Sequence, residues 1–452
     1  MGRRLLIIVA TIAASGGTAH AAPVTLTMDD GVKIACDFRP APQPPAPAIM
    51  LFHGIGGKHQ DLDQLAVAFN SAGYAILACD ARGQGASGGY FDLDGPRTVD
   101  DIRTQFAWLG SQFGIDGKHI GAWGISLGGG AALNSAAAGV HWGAIETVET
   151  WSDLYGALSP NGLAKSGAIA FFANDVAERA RDAEFATVLQ AALSGSSRAT
   201  VEKYAAPRSS LSRLGEVSIP TFLFQGRTDY AFDIAQMTRA FAALKGPKRL
   251  YVGDFGHAPA TFPGPDVAYV VDQGVRWFDR WLKGTNATVQ PAVGLAPNPW
   301  TGTPWVNEIL PPTRPLKLTL RGSKRIGSGG KVIRSVRLPK GKLETFGAPV
   351  VRVRLAGTFT HVVAVIEAGN TIVSEGGAAT PAIGRARWVR FPLISTAVRL
   401  PTRARLKLTI AATSTAQNQA NLLYVIGVPT GRRLTVGTAT VTLPLLKQPV
   451  SR

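Results

Sequence analysis

GAWGISLGGG, at residues 121–130, is the stretch of the sequence that decides the fold. It contains the motif G-x-S-x-G with Ser126 at its centre, after an apolar, strand-like run at 118–123 and before an alanine-rich, helix-like run at 131–138. A strand, a sharp turn and a helix in this order form a nucleophile elbow, which lifts a serine hydroxyl clear of a sheet. The motif alone also fits an inert turn, because small residues are common at turns in a glycine-rich chain.

Two further side chains follow Ser126 in the order that an α/β-hydrolase requires, which is serine, then acid, then histidine. Asp229 and His257 each come shortly after an apolar, strand-like run and a glycine. Both therefore belong at the carboxyl ends of predicted strands, at the same sheet edge as the elbow. We predict a catalytic triad of Ser126, Asp229 and His257, with Asp254 as a rival acid that lies close to His257 in the sequence.

The residues MLFHGIGG at 50–57 predict an apolar strand that opens into a glycine loop. In hydrolases with an elbow, such a loop supplies one backbone N–H of the oxyanion hole, and the residue after the nucleophile supplies the other. We therefore expect the N–H groups of Ile55 and Leu127 to bind the oxyanion of the tetrahedral intermediate.

Strand-like and helix-like runs alternate through the first part of the chain, which predicts an α/β domain over residues 22–290 with a mostly parallel sheet wrapped by helices. Between about 151 and 218 the strand pattern lapses and helical patterns replace it. An insertion at this position, before the strand that carries the acid, predicts a helical cap over Ser126.

The predicted cap contains the apolar stretch AIAFF at 168–172. Ile169, Phe171 and Phe172 are candidates to line the substrate pocket, because ligand pockets are mostly apolar. The alternative is that this stretch only packs the cap onto the domain beneath it.

Residues 291–452 have a different character. Short alternating runs, such as VVRVRL at 350–355 and LKLTI at 406–410, recur between Gly and Pro turns. This pattern is typical of an all-β sandwich. We predict a second domain of that class from residue 291 to the end.

The first residues predict an export signal. Arg3 and Arg4 precede a short apolar run at 5–10, and AHA at 19–21 fits a signal-peptidase cleavage site. The run is too short to span a membrane. We therefore predict a signal peptide at residues 1–21 and a mature protein that is periplasmic or secreted.

The basic charge is confined to the predicted β domain. From Thr301 onward there are 23 Lys and Arg against 4 Asp and Glu, and the whole chain has a net charge of +17. We expect this domain to dock on an anionic envelope polymer or on lipid headgroups, with a solvated basic surface without a specific partner as the alternative. Nucleic acid is not expected as a partner, because the chain is predicted to be exported and carries no recognised nucleic-acid motif.

Cys36 and Cys79 are the two cysteines of the chain, so a disulfide scaffold is excluded. The predicted strands that carry them are expected to be neighbours in the sheet. An oxidising compartment permits a disulfide between them, and two buried free thiols are the alternative of equal weight.

Three segments together resemble the CocE/NonD hydrolases, the group of X-Pro dipeptidyl-peptidases and cocaine esterases. They are the elbow at 121–130, DARGQGASGG at 80–89 and WFDRWLKG at 277–284. The resemblance implies an α/β-hydrolase sheet with a helical cap, followed by a C-terminal all-β sandwich of the jelly-roll type. It also implies a serine hydrolase of esters or amides with Ser126 and its two partners as the triad.

The sequence departs from that family at the oxyanion hole. Members commonly have a tyrosine after the nucleophile and use a tyrosine hydroxyl in the oxyanion hole, whereas this chain has Leu127 and Ile55 at the corresponding places. An oxyanion hole of two backbone N–H groups is therefore the interpretation that we adopt.

The predicted function is an exported serine hydrolase that cleaves carboxylic esters through an acyl-enzyme. One alternative is an Xaa-Pro dipeptidyl-peptidase or another amide-cleaving exopeptidase, which needs acids near the cap to hold a substrate amine; Glu149, Asp153, Asp175 and Glu178 are the candidates. The other alternative is a non-catalytic envelope-binding protein with a relic hydrolase fold.

The histidines show no metal-ligand spacing, so neither a metal nor a cofactor is predicted. The oligomeric state is left open.

Overall fold

The computed structural model describes residues 21–380, 383–415 and 423–451. The predicted signal peptide lies outside the described residues apart from residue 21. The first part of the described chain forms a ten-stranded mixed sheet in the order β1-β2-β4-β3-β5-β6-β7-β8-β9-β10. Its strands are β1 Ala22–Thr27, β2 Lys33–Arg39, β3 Ala46–Phe52, β4 Ala75–Cys79, β5 Ile115–Ile125, β6 Ala144–Val148, β7 Thr221–Gly226, β8 Lys248–Gly253, β9 Val293–Leu295 and β10 Trp305–Asn307.

The centre of this sheet is parallel. Strands β4, β3, β5, β6, β7, β8 and β9 run in one direction, and antiparallel strands close both edges. The central strands are continuous apolar runs because helices cover both faces of the sheet, so side chains on either face are buried. Their carboxyl ends consequently lie side by side along one edge, which is where the predicted triad residues follow in the chain.

Nine α-helices accompany the strands among the described residues. They are α1 Asp63–Ser71, α2 Pro96–Gly110, α3 Leu127–Ala137, α4 Leu154–Leu158, α5 Ser166–Asn174, α6 Ala183–Ser194, α7 Arg198–Ala205, α8 Ile234–Ala243 and α9 Val267–Leu282. Helices α2, α3 and α8 bury apolar residues in the core on one face of the sheet. Helices α1 and α9 do so on the other face.

Helices α4 to α7 form the cap, between β6 and β7. The side chain of Asp182 accepts the N–H of Phe185 at the start of α6, and that of Ser197 accepts the N–H of Thr200 at the start of α7. Such N-caps satisfy donors that have no partner within the helix. The inner surfaces of the cap helices share a cluster of buried apolar and aromatic residues with Leu127 next to the elbow.

The rest of the chain is an antiparallel β sandwich. Its strands are β11 Thr313–Leu320, β12 Lys324–Gly327, β13 Val332–Arg337, β14 Leu343–Glu344, β15 Val350–Gly357, β16 His361–Ala368, β17 Thr371–Ala379, β18 Ile383–Pro392, β19 Arg399–Leu400, β20 Arg405–Ala411 and β21 Arg433–Leu446. One sheet has the order β11-β21-β15-β18, with β12 also paired to β21, and the facing sheet has the order β13-β20-β16-β17. Alternate residues of both sheets meet in one apolar core. The predicted fold class is confirmed.

The boundary between the two parts differs from the predicted one. Strand β9 pairs with β8 in parallel and β10 pairs with β9, so the first sheet continues to Asn307. The predicted division at residue 290 falls before these two strands. No helix lies between β9 and β10, so their sequence lacks the alternation of strands and helices that indicates an α/β domain. The two strands complete the sheet by covering the open edge of β8.

The two cysteines face each other across neighbouring strands. Cys36 in β2 is directly opposite Cys79 in β4, and a disulfide joins them. The bridge therefore ties the antiparallel edge of the sheet to its parallel centre. No helix among residues 21–380, 383–415 and 423–451 is long and apolar enough to cross a membrane.

Candidate active site

Ser126 occupies a sharp turn between β5 and α3. Its φ of 53° and ψ of −115° lie in a region that residues other than glycine rarely adopt, at a cost of about 1–3 kcal/mol. The flanking glycines make this turn possible: a Cβ on Gly124 would lie 2.0 Å from the Gly128 oxygen, and a Cβ on Gly128 would lie 2.1 Å from the Phe52 oxygen. The backbone N–H of Ser126 donates to Val148 O at 2.9 Å, which fastens the turn to the adjacent strand β6.

Asp229 and His257 reach Ser126 from the carboxyl ends of β7 and β8. The Ser126 Oγ lies 3.0 Å from His257 Nε2, and His257 Nδ1 lies 2.8 Å from Asp229 Oδ2. The other carboxylate oxygen of Asp229 accepts the N–H of Phe232 at 2.8 Å, and the Asp229 side chain is fully buried. This serine, histidine and aspartate relay has the connectivity that activates a serine nucleophile.

The rival acid, Asp254, lies outside this relay. Its carboxylate accepts a hydrogen bond from the amide of Asn298, and its backbone N–H donates to Asp266 Oδ2 at 2.8 Å. The loop after β8 places Asp254 at its start and turns before His257, so the two side chains point to different neighbours. Among the acids weighed from the sequence, Asp229 is therefore the one bonded to the imidazole.

The electrostatics of the site favour a protonated imidazole. Burial alone would lower the pKa of His257, but the negative charges of Asp229 and Glu149, together with the hydrogen bond that His257 donates to Asp229, raise the pKa to about 9. Aromatic rings complete its surroundings: the rings of Phe232 and Phe172 meet the imidazole edge-on at centroid distances of 5.3 and 5.9 Å.

The glycine loop after β3 lies beside the nucleophile. A Cβ on Gly54 would be 3.6 Å from the Ser126 Cβ. The side chain of Gln84 accepts the N–H of Gly56 at 2.7 Å, and His53 bridges the loop to the Ala81 N–H through its Nε2 at 2.9 Å. These bonds hold the loop in position and leave the N–H of Ile55 outside the backbone hydrogen bonds of the described residues.

Leu127, the other predicted oxyanion donor, is the first residue of α3. Its N–H has no carbonyl one turn earlier in the helix, so it is available to a ligand. The positive end of the helix dipole points at the same place. Ile55 and Leu127 both line the same cavity as Ser126, so the two residues predicted to form the oxyanion hole lie close to the nucleophile.

Two cavities meet at Ser126. The first has a volume of about 100 Å³ and lies under the cap; its lining includes Ser126, Leu127 and apolar or aromatic side chains, and contains no Asp, Glu, Lys, Arg or His. The second has a volume of about 560 Å³ and is lined by His257, the glycine loop, Glu149 and Asp175, among others. Ile55, Ser126 and Phe172 line both.

The three predicted substrate contacts are divided between these cavities. Ile169 lines the first cavity only, and Phe171 lines the second only. Phe172 stands between the two, with its ring stacked on Phe232 at a centroid distance of 6.0 Å. Phe232 also lines the first cavity, and nothing in its sequence neighbourhood marks it as a pocket residue.

The four acids proposed as amine binders also separate. Glu149 and Asp175 line the second cavity. Asp153 instead caps α4 and pairs with Arg239 at 3.2 Å, and Glu178 lies in a 3-10 turn of the cap. The position of Glu149 directly after strand β6 was the sequence signal that could have placed it beside the triad, because Asp229 and His257 follow neighbouring strands.

Glu149 approaches the triad closely. One of its carboxylate oxygens, an oxygen of Asp229 and a ring nitrogen of His257 all lie within 4.8 Å of one another. This is the one place in the described residues where three groups of metal-ligand type converge. Asp229 and His257 are hydrogen-bonded to each other there at 2.8 Å, and Glu149 lies beside that pair.

Comparison with known proteins gives the same architecture. The family model described as X-Pro dipeptidyl-peptidase (S15 family) matches residues 30–259, which is just over half of the chain and includes all three triad residues. A CocE/NonD family hydrolase from Staphylococcus aureus superposes with a TM-score of 0.75 at 12% identity, over 94% of this chain and 93% of that chain. An α-amino acid ester hydrolase superposes with a TM-score of 0.69 at 14% identity, over 96% of this chain and 98% of that chain. At such identities the likeness shows the fold.

Similarity at the level of sequence is more limited. An Escherichia coli protein known as the uncharacterized 31.7 kDa protein in the traX-finO intergenic region is 40% identical over 93 residues, which are 20% of this chain and 32% of that protein. The chain spans about a third of the length of the curated relatives that it matches.

Proposed function

Since the chain belongs to the X-Pro dipeptidyl-peptidase (S15) family of hydrolases, we propose that it is a serine esterase that cleaves carboxylic esters with a small apolar acyl group. The observation that carries this proposal is the asymmetry of the two cavities at Ser126. The lining of one contains no Asp, Glu, Lys, Arg or His, whereas the other carries His53, His257 and the acids Asp61, Glu149 and Asp175.

The chemistry follows from the relay. His257 Nε2 takes the proton of Ser126 Oγ, and the oxygen attacks the carbonyl carbon to form a tetrahedral oxyanion held by the N–H groups of Ile55 and Leu127. His257 then gives that proton to the leaving oxygen, the alcohol departs, and Ser126 is left acylated. Water repeats the sequence, with His257 as its base, and frees the acid. Asp229 holds the imidazole in the tautomer that has its proton on Nδ1.

The same chemistry indicates which cavity holds the leaving group of the substrate and which holds the acyl group. The leaving group receives its proton from His257, so it occupies the second cavity, which His257 lines. The acyl group then extends to the other side of Ser126, into the first cavity. A volume of about 100 Å³ suits a short acyl or aryl group rather than a long chain.

The peptidase alternative requires a different arrangement. A dipeptidyl-peptidase holds the amine at the N-terminus of its substrate on the acyl side of the scissile bond, and a buried ammonium needs a carboxylate there. Glu149 and Asp175 line the leaving-group side instead, and the acyl side has no ionisable acid among its lining residues. Hydrolysis of short acyl or aryl esters is therefore favoured over cleavage of Xaa-Pro amides.

The test compares kcat/KM for 4-nitrophenyl esters of increasing acyl length with kcat/KM for aminoacyl-proline 4-nitroanilides. We expect turnover of the short esters and little or none of the amides. Ser126→Ala should abolish both turnover and labelling by a fluorophosphonate. Higher kcat/KM for the amides would overturn the esterase assignment in favour of the peptidase one.

Two matched variants test the assignment of the cavities. Ile169→Phe should fill part of the first cavity and shift the preference to shorter acyl groups, with little effect when only the alcohol is varied. Phe171→Ala, on the second cavity, should do the reverse. An exchange of these two effects would mean that the acyl and leaving groups occupy the opposite cavities.

A further inference from the structure

Glu149 is held in an unfavourable conformation at the end of β6. Its φ of 42° lies in the left-handed region, which a residue with a long side chain seldom adopts. The backbone N–H donates to Phe224 O at 2.9 Å, so the adjacent strand β7 fixes this conformation. The result is that the side chain is directed at the triad rather than along the strand.

The carboxylate of Glu149 is buried without a conventional partner. The residue is 3% exposed, and its Oε2 has no hydrogen bond among the described residues. No ion pair with a Lys or Arg is found for it there either. Burying a carboxylate without a cationic partner is unfavourable for the free energy of folding. We therefore expect the Glu149 carboxylate to contribute to the function of the site.

The cationic group that interacts electrostatically with Glu149 is the imidazolium of His257. The charges that act on Glu149 are those of His257 and Asp229, and burial raises its pKa to about 8 against the opposing effect of His257. The other ionisable groups around the two are Asp175, His53 and Asp61 on the same cavity, and the buried Lys165, which acts on His257 and is itself near Asp233.

We infer that Glu149 is a second carboxylate of the catalytic relay, a positioning residue that acts with Asp229 to stabilise the His257 imidazolium. Strands β6, β7 and β8 are consecutive neighbours in the sheet, so Glu149 and Asp229 approach the histidine from adjacent strand ends. This inference rests on the proposed function, because it concerns the imidazolium that forms when Ser126 Oγ gives its proton to Nε2. The Nδ1 proton stays with Asp229 throughout, and Glu149 contributes charge without forming or breaking a bond.

The experiment combines Glu149→Gln and Asp229→Asn in a double-mutant cycle on a short 4-nitrophenyl ester. Glu149→Gln keeps the shape of the side chain and removes its charge. Above about pH 9, where the Glu149 carboxyl is ionised and His257 is neutral, we expect the variant to lower kcat about tenfold with KM nearly unchanged. In the Asp229→Asn background, where Glu149 is the remaining carboxylate, the same change should lower kcat about a hundredfold. Equal factors in both backgrounds would overturn the inference.

The pH profile provides a readout that a purely structural role would not move. Removing a negative charge beside His257 lowers its pKa, so the acid limb of kcat/KM should move to lower pH in Glu149→Gln. The melting temperature should stay close to that of the wild type, because Gln keeps the size and shape of the side chain. An unchanged acid limb, or a raised KM confined to esters of amino alcohols, would show that Glu149 binds substrate and does not act through His257.

Glu178→Gln is the matched control, since Glu178 lies on the cap outside both cavities. It should leave kcat, KM and the acid limb unchanged. Failure of the proposed function is separable: a wild-type protein that neither turns over esters nor reacts with a fluorophosphonate refutes the hydrolase, whereas an active wild type with an unchanged Glu149→Gln profile refutes only this inference.

Discussion

Arg227, two residues before Asp229, forms a buried ion pair with Glu344 of the β sandwich. Both side chains are at most 1% exposed. Glu344 also accepts the N–H groups of Val450 and Ser451 at 2.7 and 2.8 Å. The sandwich therefore holds the loop that carries Asp229.

Loss of one partner of this pair should unfold the protein more readily than loss of both. Glu344→Leu leaves the Arg227 guanidinium buried and unpaired, and we expect it to lower the free energy of unfolding by about 3–5 kcal/mol. The double variant Arg227→Met/Glu344→Leu should recover much of that loss. Denaturant unfolding measures both, and a double variant no more stable than Glu344→Leu would contradict the expectation.

Acid should weaken the same contact. Burial would raise the pKa of Glu344, but the charge of Arg227 and the hydrogen bonds from Ser451 outweigh it and lower the pKa. A lowered pKa in the folded state contributes stability that is present above the unfolded value and is lost as the pH falls through the folded value. Wild type should therefore lose stability below about pH 4.3 more steeply than Arg227→Met/Glu344→Leu in melting curves at stepped pH.

The two candidate acids should respond very differently to neutralisation. Asp229→Asn leaves the imidazole in the wrong tautomer, and we expect kcat to fall by about 10³–10⁴. Asp254→Asn should have a small effect, because its partners are Asn298 and the loop rather than His257. Steady-state kinetics of both variants decide the matter, and a reversed order would move the role of catalytic acid to Asp254.

Activity should rise with pH across the neutral range. In the proposed mechanism Ser126 needs neutral His257 as its base, and the neighbouring carboxylates raise the pKa of His257 to about 9 against the effect of burial. We therefore expect the protonated, inactive form to predominate at pH 7. We expect kcat/KM to have its acid limb above the ordinary histidine value of about 6.5. A profile with its acid limb at or below that value would show that the carboxylates do not raise the pKa of His257 in the free enzyme.

The bridge between Cys36 and Cys79 should be present in protein made in an oxidising compartment. Denatured but unreduced protein should show no thiol that reacts with an alkylating reagent. Reduction should lower the melting temperature, since such a bridge contributes about 2–4 kcal/mol to stability. Cys36→Ser/Cys79→Ser is the control and should melt with the reduced wild type. Two alkylated cysteines in unreduced protein would contradict the prediction.

We propose that the outer face of the sandwich binds an anionic envelope polymer. Arg352 and Arg390 are directly opposite on β15 and β18, as are Arg354 and Trp388, and all four side chains are exposed. Changing the three arginines to glutamine should weaken retention on an immobilised anionic polysaccharide and reduce its salt dependence. The kcat on soluble esters should stay the same. Unchanged retention would leave the basic face as a solvated surface.

The sequence by itself determined the elbow, the order of the triad and the two fold classes, because each depends on local constraints. Only glycine fits at positions 124 and 128, because a Cβ there would clash with backbone atoms a few residues away or in the adjacent strand. The positions of Asp229 and His257 were predictable because parallel strands have their carboxyl ends at the same edge of the sheet. A residue that directly follows such a strand therefore lies at that edge, whichever strands are adjacent to its own. The change from helix-like to alternating patterns likewise separates the sandwich from the α/β domain.

Only the tertiary structure decided which groups meet. It chose Asp229 over Asp254, divided Ile169 from Phe171 between two cavities, added β9 and β10 to the first sheet, joined Cys36 to Cys79, and brought Glu149 to the triad. These outcomes depend on the direction of a side chain after a turn and on the packing of segments far apart in the chain. Hydrophobic periodicity records which face of an element is buried, but it does not record which distant residue covers that face.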